Sequence, residues 1–406
     1  MASKLVGPIF FVLTLFYSNL SFSQDGTVPS SSLRPLKIAY VIDSYDEQKS
    51  GGVITANRFI KELSKVHDIT IVSNSKNSDE SNKMRGFYVP FAKNKMKKNG
   101  VKFAYPNTKK LKKIFADVDL IYVHFPFYLG IKSVDIAKKL GKPVIVGFHI
   151  QPENLLLNVG IQSQKLNAFF YKQFIKKFYN KADLVICPSQ FAESLLINSK
   201  HFKGKTTVIS NGLTKKHRPR PSEKIKEYEG KFVILTVGRL AKEKRHDVII
   251  NAVAQSKYKE EIQLVATGSG DLKEHLEDLG SSLPNPPQFG FVSSERLTSL
   301  YNTADLYIHA SEVELEGMSV LEAIGSGRPA LISDAKTSAS YQFALSPDFL
   351  FRNGDSEDLA KKIDYWIEHK DELKQVGLEY AESAKKYYFE ESIKQMNQAF
   401  YNAVPQ

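Results

Sequence analysis

From Leu36 onward the chain alternates short runs of apolar, largely β-branched residues with longer stretches whose apolar positions recur at helical spacing. The short runs suit strands buried on both faces, and the longer ones suit amphipathic helices laid over them. Together they predict βαβ units and a parallel sheet. In the first half the pattern predicts strands at residues 36–42, 68–73, 119–124, 143–148, 183–187 and 206–209, with helices near 52–66, 128–140, 165–181 and 190–199. After Asn211-Gly212 a polar, basic segment containing prolines runs to Gly230. The alternation then restarts with strands at 232–237, 262–267, 288–291, 305–309 and 329–332 and helices near 245–256, 271–280, 294–301, 318–326 and 356–369. The expected architecture is α/β: two doubly wound, Rossmann-like domains, 36–212 and 213–385, facing a central cleft. A helical tail, 386–406, crosses back to the first domain. In such sheets ligands bind beyond the carboxyl ends of the strands, so both domains present their loops to one cleft.

Length agrees with two domains, since 406 residues with 42% apolar content exceed what one core usually supports. Residues 1–35 read as a leader and tether: Lys4 precedes an uncharged, mainly apolar run from Leu5 to Phe22, followed by polar residues and the proline-bearing stretch Pro29 to Pro35. That is the composition of a signal peptide or signal anchor. The single cysteine, Cys187, excludes an intramolecular disulfide and sits in an apolar run, where it reads as a small buried hydrophobe.

The formal charge of +12 is uneven. Lys93, Lys95, Lys97, Lys98, Lys102, Lys109, Lys110, Lys112 and Lys113 fall in one stretch, which makes a basic face for an anionic membrane or a phosphorylated substrate, or a plain solvated surface. No aromatic-interleaved nucleic-acid module accompanies it, so no nucleic-acid partner is expected.

Two loops carry candidate chemistry. Val237-Gly238-Arg239-Leu240-Ala241-Lys242-Glu243-Lys244 follows a strand, and its glycine, planar guanidinium and ammonium suit a diphosphate. Ser311 to Ala323 also follows a strand and runs into a helix, with Glu314 and Glu322 eight residues apart and Gly317 at the turn. Unsatisfied N–H groups at that helix start favour an anion or a hydroxyl-rich ligand. On spacing alone, an acidic surface turn fits the second loop equally well. Asp117-Val118-Asp119 spells a D-x-D pattern but precedes an internal strand, and is read as structural.

In this order and spacing the motifs resemble those of the family 4 glycosyltransferases of GT-B fold over nearly the whole chain from Leu36 to Tyr401. They are Ser50-Gly51-Gly52-Val53, Asp119 to His124, Gly147-Phe148-His149, Ala182-Asp183 before Pro188-Ser189, Ile209-Ser210-Asn211-Gly212, Gly238-Arg239-Leu240, Gly268-Ser269-Gly270, Gly290-Phe291-Val292 and the E-x7-E element from Glu314 to Glu322. The resemblance implies a nucleotide-sugar donor, UDP- or GDP-linked, retention of anomeric configuration by front-face attack, and no cofactor or metal. It implies that Arg239 and Lys244 hold the diphosphate, and that Gly317, Met318 and Ser319 offer backbone donors. Glu314 would then touch the donor sugar, Glu322 grip the ribose, and Val292 read the base. Gly51 and Gly52, like Gly238, would close on the phosphates, with His149 beside the sugar. Two departures stand out. Ser333 to Phe343 lacks a glycine-rich turn, and Leu315-Glu316 replaces a frequent aromatic with an extra carboxylate that has no evident role.

The resemblance assigns the acceptor to the first domain. There the helix containing Phe169-Phe170-Tyr171-Lys172 mixes aromatics and lysines, which suits an interfacial membrane helix or, equally, aromatics facing the domain core. His149-Ile150-Gln151-Pro152-Glu153-Asn154 resembles lipid-directed members. The expected acceptor is a lipid or lipid-linked glycan at a membrane surface. The rival readings are an exported two-lobed solute-binding protein and a sugar-nucleotide epimerase of the same fold.

Overall fold

The computed structural model describes residues 34–45, 51–76, 79–90, 93–98, 102–153, 156, 163–221 and 223–405. The apolar leader, Ser50 and Asn154 lie outside the described residues. The first domain is built on six parallel strands in the order β2-β1-β5-β6-β7-β8, namely β1 (Lys37–Val41), β2 (Asp68–Val72), β5 (Leu120–Val123), β6 (Val144–Gly147), β7 (Leu184–Cys187) and β8 (Thr206–Val208). Its helices are α1 (Gly51–Leu63), α2 (Lys93–Lys98), α3 (Thr108–Ala116), α4 (Tyr128–Lys139), α5 (Gln164–Lys177) and α6 (Gln190–Ile197). β1, β5 and β6 are buried nearly throughout, as strands covered on both faces must be. Cys187 is fully buried, and burial pushes its thiol far up, as befits a core residue.

The second domain repeats the plan with order β11-β10-β9-β12-β13-β14: β9 (Phe232–Val237), β10 (Ile262–Thr267), β11 (Gln288–Gly290), β12 (Leu306–His309), β13 (Ala330–Ser333) and β14 (Leu350–Phe351). Around it lie α7 (His246–Gln255), α8 (Lys273–Gly280), α9 (Ser294–Thr303), α10 (Met318–Gly325), α11 (Ser356–Glu368) and α12 (Lys370–Ala384). The order reverses at β1/β5 in the first sheet and at β9/β12 in the second, and these switch points are where crevices open. The last helix, α13 (Phe389–Ala403), shares a core with the first domain. Its Phe389, Met396 and Phe400 pack with Ile38, Tyr40, Phe59 and Leu120. The two crossings between domains run side by side, with Leu213 N donating to Tyr387 O at 2.6 Å and Phe389 N to Leu213 O at 2.9 Å.

Three features escape the hydrophobic pattern, the first being the two-residue edge strand β14. A separate antiparallel hairpin, β3 (Arg85–Phe87) with β4 (Phe103–Tyr105), stands between β2 and α3. Its strands are three residues each and lie among lysines, too short for alternation to register. The lysine run itself is partly helical: α3 buries Leu111 and Phe115 and turns Lys109, Lys112 and Lys113 outward. In α5 the structure divides the aromatics. Phe170, Tyr171 and Phe174 pack against the first domain's core, whereas Lys165, Phe169, Lys172 and Lys176 form an exposed face at helical spacing. Asp117 and Asp119 serve the fold, Asp119 accepting the Lys37 backbone N–H at 2.9 Å and Asp117 pairing with the Lys37 ammonium.

Candidate active site

At the second domain's switch point, β9 delivers Gly238 and Arg239, and the turn that follows delivers Lys244. The neighbouring Gly268 has φ +150°, and a Cβ there would lie 1.8 Å from Gly238 O. Only glycine lets these loops touch, and Leu240 N then donates to Ser269 O at 3.0 Å. Arg245 closes the turn at φ 51°, a left-handed conformation uncommon outside glycine, tied down by Asp247 and Glu312.

β12 delivers the other half. Glu314 forms an ion pair with Lys244, and His309 Nε2 lies 3.3 Å from the same carboxylate oxygen. Burial alone would raise the Glu314 carboxyl, but the Lys244 charge and the His309 contact hold it well below the usual carboxylate range. Arg239 meets the buried Glu243 at 2.6 Å. Gly317, at φ 92°, turns the chain into α10, so the N–H groups of Met318 and Ser319 belong to its unsatisfied first turn. Ser340 Oγ, buried and without a hydrogen-bond partner among the described residues, lies where a Gly317 side chain would start. Thus the segment that lacks a glycine-rich turn still brings a hydroxyl to the helix start. Glu322 lies deeper, contacted by Tyr301 OH at 3.3 Å, His217 Nε2 at 3.4 Å and Arg58 of α1 at 3.5 Å. Burial opposes its ionisation, yet His217 and Arg58 together keep its pKa lowered. Val292 is half-buried at the end of β11, beside the exposed Phe291.

Across the interface, Gly51 and Gly52 open α1. A Cβ on Gly51 would meet open space, whereas one on Gly52 would lie 3.0 Å from the Phe125 ring. His124 Nε2 is 3.0 Å from Gly52 O and Nδ1 is 3.1 Å from Tyr40 OH. A carbonyl can only accept, so the proton is assigned to Nε2 and the Tyr40 hydroxyl donates to Nδ1. His149 stacks on His124 with centroids 4.1 Å apart and its Nε2 lies 3.2 Å from Tyr122 OH. Burial lowers His149 to about 4, so its imidazole is neutral near pH 7.

The domains are clasped around this site. Ser189 Oγ donates to Leu315 O at 2.5 Å, and Gln151 Nε2 to Thr337 O at 3.5 Å. Leu315 packs against the first domain's core, and the Glu316 carboxylate accepts from Ser210 Oγ and the Asn211 N–H. The extra carboxylate therefore has a place: it ties the E-x7-E element to the crossing between domains. Arg239, Lys244, Glu314, Gly317, Met318, Ser319 and Glu322 gather around β9, β12 and α10, while Gly51, Gly52 and His149 gather at the first domain's strand ends. Arg58 and His217 carry no local signal because their partner, Glu322, lies far off in the chain; His309 reads as the last residue of a buried strand although Glu314 is only five residues on, and His124 reads only as part of its motif. Among the described residues, no three His, Cys, Asp or Glu side chains group to hold a metal.

A model of glycosyltransferase family 4 matches residues 49–216, and one of glycosyl transferases group 1 matches 217–384. An alpha-monoglucosyldiacylglycerol synthase of Streptococcus pneumoniae is 29% identical over 320 residues, which cover 73% of this chain and 70% of that protein. An alpha-galactosylglucosyldiacylglycerol synthase of the same species is 26% identical over 293 residues, 66% of this chain and 74% of that one. In fold, the chain is similar to the crystal structure of Anabaena HepE in complex with UDP and glucose, with TM-score 0.67 at 18% identity over 90% of this chain and 100% of that one. These relatives lend nothing to the readings as a solute-binding protein or an epimerase. With both halves matched in order and both sheets in place, the chain belongs to the family 4 glycosyltransferases of GT-B fold.

Proposed function

We propose that this glycosyltransferase moves a hexose from a UDP- or GDP-linked donor, with retention of anomeric configuration and without a metal, to a lipid or lipid-linked acceptor at a membrane surface. The observation that carries the donor half is the Lys244–Glu314 pair at the mouth of β9 and β12, with Arg239 on the same loop and the α10 N-terminus beside it. Lys244 and Arg239 supply fixed positive charge to a leaving diphosphate, the kind of preorganised stabilisation that usually dominates such transfers. The acceptor hydroxyl oxygen forms the bond to the anomeric carbon as the bond to the diphosphate oxygen breaks, and its proton passes to the departing phosphate. Glu314, held ionised, faces the sugar; neutral His149 offers a hydrogen bond without a competing charge. Glu322 exchanges its contact with Arg58 for ribose hydroxyls.

The lipid half draws on the two relatives named as diacylglycerol glycoside synthases and on the α5 face that pairs Phe169 with Lys165, Lys172 and Lys176. Such a face suits peripheral contact with anionic headgroups. Among the described residues, no helix is long and apolar enough to cross a membrane.

The test is transfer of labelled sugar from UDP-glucose, UDP-galactose, UDP-N-acetylglucosamine and GDP-mannose into lipid extract, beside a Glu314→Ala control. Label entering the organic phase only with intact protein supports the proposal and names the donor. Transfer to soluble glycans alone would remove the lipid acceptor, and failure to bind any donor would remove the nucleotide-sugar reading.

A further inference from the structure

The β3–β4 hairpin pairs with neither six-stranded sheet. It is nevertheless fixed firmly: the Ala104 N–H donates to the buried Asp43 at 2.9 Å, and Asn74 Nδ2 donates to Lys102 O at 2.8 Å. Ala104 is fully buried, so strand alternation turns Phe103 and Tyr105 to the other face, with Phe87 directly across from Phe103.

On that face the rings continue into the β5–α4 turn. Phe125 and Phe127 have centroids 5.5 Å apart, Phe127 and Phe103 4.7 Å, Phe103 and Phe87 5.9 Å, Phe87 and Tyr105 6.3 Å, and Tyr105 and Tyr128 5.4 Å. The four phenylalanines are only half-buried, and Tyr105 and Tyr128 are 54% and 41% exposed. The inner end lies at the site. The Phe125 ring abuts Gly52 and meets His124 edge-on at 4.5 Å, and His124 stacks on His149. Lys97 and Lys102 each hold an ammonium 5.9 Å from the ring centroid of Tyr88, the residue after Phe87.

We infer that this ring track is the seat of the acceptor's apolar body: an uncharged lipid alcohol lies along Phe103, Phe127 and Phe125 with its hydroxyl at His149. The inference rests on the proposed transfer to a lipid acceptor and locates where that acceptor is held. Its support is the continuity of the track with the site. A hairpin extraneous to the sheet places open aromatic surface from the sugar side of the cleft outward, and removing such surface from water favours binding of apolar ligands. A hydroxyl headgroup needs no ionic partner at the inner end, where His124 and His149 are both neutral through burial.

The test uses the full chain with dioleoylglycerol and with cholesterol, each dispersed in neutral detergent micelles so that membrane docking plays no part. Tyr105→Ala with Tyr128→Ala probes the exposed end, and Phe103→Leu with Phe127→Leu probes the middle while keeping apolar volume. Each pair is expected to raise the KM for the accepted lipid roughly tenfold, the order of effect expected for losing two aromatic contacts, while UDP affinity by calorimetry stays at the wild-type value. Which lipid the wild type accepts distinguishes a fused-ring body from acyl chains. If the wild type glycosylates lipid and both pairs keep its KM, the track is not the seat and the inference falls while the lipid-acceptor reading stands. If the wild type glycosylates no lipid at all, the reading itself has failed.

Discussion

Glu316 offers the sharpest test of the physical account. Its carboxylate is 3% exposed and meets Ser210 and Asn211, a hydroxyl and an amide, not a cation. Burial pushes the group from 4.5 up to about 7, with the Ser210 and Asn211 hydrogen bonds pulling weakly the other way. Because the folded state holds this proton more tightly than the unfolded chain, stability falls as pH rises from about 4.5 and levels off above about 7. At ~1.36 kcal/mol per pH unit the loss amounts to about 3 kcal/mol. Glu316→Gln cannot ionise and so escapes that loss, but its amide N–H₂ must confront a donor already at Asn211, a mismatch of ~1 kcal/mol. The variant should match wild type to within a few tenths of a kcal/mol at pH 5, where part of the loss has already accrued and offsets the mismatch, and be about 2 kcal/mol more stable at pH 8. Asp43, also raised to about 7 by burial, titrates in both proteins and cancels in the difference. The assay is urea unfolding at several pH values between 5 and 8, followed by fluorescence of the sole tryptophan, Trp366, buried in the second domain. A difference between variant and wild type that does not change with pH would refute the reasoning.

Three further outcomes follow from the same geometry. Lys244→Met should lower kcat by ~10²–10³ through loss of charge at the leaving group, and should let the Glu314 carboxyl titrate upward, readable as a new acidic limb in the pH–rate profile. Gly268→Ala forces both a strained φ and a clash with Gly238 O, so it should cost at least ~2 kcal/mol of stability and impair donor binding, measured by thermal unfolding and calorimetry. Ser189 both caps α6 through the Ala192 N–H and grips Leu315 O. Ser189→Ala should therefore cost about 1–2 kcal/mol and raise protease susceptibility near residue 315.

Every strand of the two sheets except the two-residue β14 was legible, because residues such as Ile38, Ala39, Tyr40 and Val41 are covered on both sides and write continuous apolar runs. The loops of the candidate site were legible because glycines and charged residues sit directly after such runs. What stayed hidden depends on distance along the chain. Glu316 meets Ser210 across 106 residues, and Arg58 meets Glu322 across 264, so nothing local marks either pairing. The hairpin hid for another reason: its three-residue strands take their meaning from rings on the β5–α4 turn, not from their own periodicity.

The return of α13 has a consequence for synthesis. Phe389, Met396 and Phe400 complete a core whose other members begin at Leu36. Among the described residues, the first domain therefore emerges from the ribosome with an apolar face whose remaining cover, α13, follows only after the whole second domain is translated. Folding units usually close in order of emergence; in this chain the amino-terminal unit closes last, and a chaperone that shields that face during translation would improve its yield.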